Sequence, residues 1–170
     1  MPAITNAPRE NIIVQPINLF GGHLAAGDRS AHAIAMTSHP TISHLPTKLT
    51  KTLRVLVVED DAMIGVLLGE MLEGMGYDVC GIEATEADAV AAAARCKPDL
   101  MIVDVQLGEG SGVSAIDTIQ CARPVPHVFV GGNIAGIRVL RPDSIFIQKP
   151  YSESELAMGI QRALESDLRS

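Results

Sequence analysis

Leu100-Met101-Ile102-Val103-Asp104 is the stretch on which the fold turns. Four apolar residues end on an acid, with Pro98 and Asp99 before them and Gly108, Gly110 and Gly112 after. So short and unbroken an apolar run reads as a strand buried on both faces. Two other stretches repeat the plan. Val55-Leu56-Val57-Val58 runs into Glu59-Asp60-Asp61, and Ile145-Phe146-Ile147-Gln148 runs into Lys149-Pro150. Three strands thus deliver acid, acid and base, and a parallel sheet would gather them at one edge.

Around these strands the pattern alternates. A strand is expected over Leu53–Glu59 and a helix from Ala62 to Gly74, with Ile64, Leu67, Leu68, Met71 and Met75 on its apolar face. Its methionines read as core. A strand follows at Asp78–Ile82. Thr85 is a good N-cap for a helix over Glu86–Arg95, with Asp88 as its box partner. Another helix is expected over Gly112–Cys121, and strands over His127–Val130 and Ser144–Gln148. A last helix, Glu153–Glu165, buries Leu156, Ile160, Ala163 and Leu164. The alternation predicts an α/β fold: a doubly wound, five-stranded parallel sheet covered on both sides. After Gly131-Gly132 only about ten residues precede Ser144, less than a usual crossover. With Gly136 and Pro142 there, the fourth helix is expected to be shortened or missing.

Hydrophobic residues make up 47% of the 170, aromatics 3%, and there is no Trp, so the core must be aliphatic. A net charge of -7 without a basic run argues against a nucleic-acid surface. No apolar run approaches the ~18 residues of a membrane span, and no secretory signal is visible. A cytoplasmic protein is expected. Cys80, Cys96 and Cys121 are isolated in sequence, without a C-x-x-C pair, and read as reduced thiols. Residues 1–52 lack periodicity and read as a largely disordered extension before a domain over 53–168. His23, His32, His39 and His44 in that extension fit no compact metal-ligand spacing.

Ligands of parallel sheets bind beyond the carboxyl ends of the strands. Glu59, Asp60, Asp104 and Lys149 fall at such ends. Carboxylates that close do not all stay ionised without a cation. Hard oxygen donors suit Mg²⁺. Asp104 is then placed as a nucleophile toward a phosphoryl group, with Lys149 as a point charge for the phosphate. Asp61 reads as a helix cap. Gly108, Gly110 and Gly112 read as a strand–helix turn, since Val113 stands where a nucleotide-loop glycine belongs.

Val57-Val58-Glu59-Asp60-Asp61, Val103-Asp104-Val105-Gln106-Leu107 and Lys149-Pro150 together resemble the response-regulator receiver domain of bacterial two-component signalling. The resemblance covers Leu53 to about Leu164 and implies the flavodoxin-like strand order 2-1-3-4-5. It implies Asp104 as phosphoacceptor, Asp60 as direct Mg²⁺ ligand, Glu59 as the second acid and Gln106 as a backbone-carbonyl ligand. It also implies Lys149 as the phosphate's lysine, Pro150 at a cis position and Phe146 at the switch-aromatic position. Gly131 departs from the pattern, because the family carries Thr or Ser there. Pro126-His127-Val128-Phe129-Val130-Gly131-Gly132-Asn133 loosely resembles the P-F-x-F-A-T-G-Y segment of a subgroup paired with kinases of the HWE type.

The resemblance implies a single-domain response regulator, not an enzyme with turnover. It would take its phosphoryl group from a histidine kinase or histidine phosphotransfer protein and signal to a downstream protein target. Two other readings compete. A phosphate-independent pseudo-receiver is suggested by Gly131. An aspartate-nucleophile phosphatase needs D-x-D, and Asp104-Val105-Gln106 lacks the second acid.

Overall fold

The computed structural model describes residues 51–167. The readings made for residues 1–50, including the four histidines, lie outside the described residues.

Five strands form the sheet: β1 (Arg54–Val58), β2 (Asp78–Glu83), β3 (Leu100–Asp104), β4 (His127–Gly131) and β5 (Ile145–Gln148). All neighbours pair in parallel, in the order β2-β1-β3-β4-β5. Five helices connect them: α1 (Ala62–Gly74), α2 (Glu86–Cys96), α3 (Gly112–Ala122), α4 (Ala135–Leu140) and α5 (Glu153–Asp167). β3 lies in the middle and is buried along its whole length, as its unbroken apolar run requires.

Two apolar layers flank the sheet. Leu56, Val58, Met101, Val103 and Phe129 face the alanines of α2 and Ala115, Ile116 and Ile119 of α3. Val55, Val57, Ile102, Val128 and Val130 face Leu68 and Leu72 of α1 and Leu156, Ile160 and Ala163 of α5. Successive strand residues point to opposite faces, so each central strand feeds both layers.

Helix starts follow their caps. Asp61 accepts from the Met63 and Ile64 amides, Thr85 from Asp88, and Ser111 from Val113. α4 is six residues long, the shortening expected from the short connection.

The facing of α1 corrects the expectation. Its buried residues are Gly65, Leu68, Gly69 and Leu72. Ile64 and Leu67 are 38% and 57% exposed, and Met63 is 75% exposed. Met71 and Met75 do pack, partly buried, against the α1/α5 layer. The reason is steric. A β-carbon at Gly65 would stand 2.9 Å from Ile82 Cγ2, and one at Gly69 3.1 Å from Ile82 Cδ1. The glycine stripe lets α1 settle on β2, which turns the larger side chains at 63, 64, 66 and 67 outward.

Candidate functional site

Parallel strands end together, so the residues just past β1, β3 and β5 meet at one edge. Glu59 follows β1 directly and is 2% exposed; Asp104 closes β3 and is 7% exposed. They are the buried acids among the described residues. Asp60 is exposed beside them. One carboxylate oxygen from each of Glu59, Asp60 and Asp104 lies within 4.8 Å of the others.

Lys149 closes the cluster. The Lys149 amide donates to Gly131 O at 2.9 Å, which aligns the end of β5 with the end of β4. Lys149 Nζ donates to Glu59 Oε2 and to Asp104 Oδ2, each at 2.6 Å. The Lys149–Pro150 peptide is cis, as the resemblance implied. Burial pushes Glu59 above the usual carboxylate range, and Lys149 only partly offsets it. Burial alone would pull Lys149 down, but the hydrogen bonds and charges of Asp104 and Glu59 outweigh it and hold the ammonium above its ordinary value.

The loop between β3 and α3 holds two of the acids from outside. The Gln106 amide donates to Asp104 Oδ1 at 2.9 Å, and the Gly108 amide to Asp60 Oδ2 at 2.9 Å. Three carboxylates against one lysine leave the edge short of positive charge. The donors are hard oxygens, and Asp60 opens to solvent, so Glu59, Asp60 and Asp104 could hold a small divalent cation.

At the end of β4 the structure places Gly131, buried, without a hydroxyl to offer. Phe146 is 6% exposed and stacks on Phe129, ring centroids 5.2 Å apart. Asp61 is spent on the α1 cap. Two arrangements escaped the sequence. Cys80 and Cys96 bring their sulfurs to 2.8 Å, although sixteen residues separate them. Glu86 reaches the β3–α3 loop. Neither spacing carries a motif, and only the packing of α2 creates them.

Residues 55–161 match the response regulator receiver domain. The chain belongs to that family. It is 33% identical over 116 residues to the phyllosphere-induced regulator PhyR of Methylorubrum extorquens, covering 65% of this chain and 43% of that protein. It is 34% identical over 115 residues to the transcriptional regulatory protein PdtaR of Mycobacterium tuberculosis, covering 65% of this chain and 56% of that protein. The receiver domain therefore spans only about half the length of these relatives. Its fold matches the solution structure of the PhyR receiver domain of Erythrobacter litoralis, with a TM-score of 0.61 and 29% identity over 67% of this chain and 91% of that one. The five-stranded order is that of receiver structures. Among the described residues no helix is long and apolar enough to cross a membrane.

Proposed function

We propose that this receiver domain accepts a phosphoryl group on Asp104 from a histidine kinase or histidine phosphotransfer protein, with Mg²⁺ bound at the acidic edge. It then passes the group on or signals to a downstream protein. The observation that carries this reading is the pairing of buried Asp104 with Lys149 at 2.6 Å, beside two further acids. Glu59, Asp60, Asp104 and the Gln106 carbonyl would hold the cation. Bound there, it would neutralise charge on the incoming phosphoryl group.

The chain's own groups have distinct tasks in this reading. The Gln106 amide, on Asp104 Oδ1, fixes the rotation of the carboxylate. An oxygen of Asp104 attacks phosphorus, the bond from phosphorus to the donor imidazole nitrogen breaks, and the imidazole leaves with the electron pair. Lys149 exchanges its bond to Asp104 for one to a phosphoryl oxygen. α1 starts beside the site and exposes Met63, Val66 and Leu67, an apolar surface suited to the helices of a histidine-bearing partner. The protein would work in the cytoplasm, without turning over a substrate.

Gly131 favours a second reading, a pseudo-receiver that binds partners without phosphate. A β-carbon at 131 would stand 3.2 Å from Ile134 Cγ2 and 3.3 Å from Val105 Cβ. Glycine offers no hydroxyl, and those side chains crowd the space beside it. Incubation with a small acyl phosphate and Mg²⁺, read by intact mass, separates the two. A phosphate adduct that Asp104→Asn abolishes supports phosphorylation. Absence of an adduct with both the small donor and a phosphorylated histidine donor supports the pseudo-receiver.

A further inference from the structure

Glu86 sits in the first turn of α2, outside the acidic edge, yet its carboxylate is committed to the β3–α3 loop. Its Oε2 accepts from the Ser111 amide at 3.0 Å, and its Oε1 from the Ser114 hydroxyl at 2.5 Å. The Glu86 amide points back toward the Glu109 carbonyl at 3.5 Å. Gly110 makes the approach possible. It has φ +87°, and a β-carbon there would stand 2.7 Å from both Glu86 Cβ and Oε2. A left-handed backbone and a carboxylate seated against it both call for glycine.

The same loop positions the acids. Gln106 and Ser111 form an antiparallel bridge across it. The Gln106 amide holds Asp104 and the Gly108 amide holds Asp60. Ser111, gripped by Glu86, is thus paired with the residue that orients Asp104. Among the described residues, Asp60 and Asp104 bond this loop from the ends of β1 and β3, and Glu86 bonds it from α2.

We propose that Glu86 is a positioning residue for the Mg²⁺ site: by clamping Ser111 and Ser114 it holds residues 106–108 where they orient Asp104 and Asp60. The proposal rests on the reading that the acidic edge takes Mg²⁺. Supporting residues of this kind commonly change metal affinity by about 10- to 100-fold.

Calorimetric titration of the full chain with Mg²⁺ alone, at a temperature well below melting, tests it. Glu86→Ala is expected to raise the Mg²⁺ dissociation constant about tenfold. Glu86→Gln keeps an oxygen for the Ser111 amide and is expected within about threefold of the parent. Ser114→Ala, losing one of the two bonds, falls between. A clamp that only stabilised the fold would lower the melting temperature and leave Mg²⁺ affinity unchanged; that result overturns the proposal. Equal weakening in Glu86→Ala and Glu86→Gln also overturns it, because loss of charge would then be the cause. If the parent chain binds no Mg²⁺, the reading of the acidic edge fails first, and the clamp falls with it. Binding by the parent that equals binding by Glu86→Ala rejects the clamp alone.

Discussion

Glu59 and Lys149 pull the metal-free protein in opposite directions. Glu59 is 2% exposed and its pKa is raised by burial, so folding makes its carboxylate easier to protonate than in the unfolded chain. The sign follows from linkage: a group raised on folding adds stability below its unfolded value, lost as pH rises through the folded value. In chelator the protein is expected to gain stability as pH falls from neutral toward the usual carboxylate range. Glu59→Gln should flatten that gain, raise the melting temperature at neutral pH by a few degrees (about 1 kcal/mol) and weaken Mg²⁺ binding. Thermal melts across pH, with and without Mg²⁺, check all three outcomes. Lys149→Met leaves two buried acids facing each other. It is expected to cost about 2–3 kcal/mol in chelator, below the fully buried range because the lysine keeps part of its side chain in water. Mg²⁺ should return much of that loss. These residues are legible in the sequence because strand ends in a parallel sheet converge; that the acids at 59, 60 and 104 and the lysine at 149 meet there depends on the strand order, which the family resemblance implied.

The elements were legible wherever a periodic run met a cap or a glycine. Asp61 and Thr85 cap their helices, and the scarcity of residues after Gly132 shortens α4. What could not be read was which side of an element meets which neighbour. α1 is apolar nearly all round, so periodicity favoured the large residues, whereas the glycines at 65 and 69 decided the contact with Ile82. The Cys80–Cys96 contact is of the same kind. Burial, then the neighbouring Cys96 thiol, push Cys80 up to about 12, whereas Cys121 is exposed. A maleimide at neutral pH is therefore expected to label Cys121 well before Cys80, with Cys80 labelling accelerating as pH rises. Peptide mass mapping over time checks the order; Cys80 labelling first would contradict the packing of β2 on α2. At the start of α3, a β-carbon at Gly112 would collide with the Asp104 carbonyl oxygen and crowd Val103 Cγ1 at 2.6 Å. Gly112→Ala is expected to cost more than about 3 kcal/mol and to displace Asp104, read as a lower melting temperature and lost phosphorylation.

Across the whole domain, one sheet joins two apolar layers to one acidic edge. β3 supplies Met101 and Val103 to one layer, Ile102 to the other, and Asp104 to the edge. Cation binding at the edge, as proposed, would thereby be linked to global stability. At a Mg²⁺ concentration about 100 times its dissociation constant, the gain is expected near 2.7 kcal/mol, and Asp60→Ala should remove most of it. The family follows from the sequence match over residues 55–161 together with this architecture. At the end of β4, Gly131 brings no hydroxyl, and Phe146 is stacked on Phe129. The most direct measurement for the central claim is to locate the phosphoryl group. The chain is incubated with a phosphorylated histidine donor and Mg²⁺, then reduced with borohydride, which converts an aspartyl phosphate to homoserine, and mapped by peptide mass spectrometry. Homoserine at position 104, dependent on Mg²⁺ and absent without donor, is the predicted result. Modification at another residue, or none at any Mg²⁺ concentration, would contradict it.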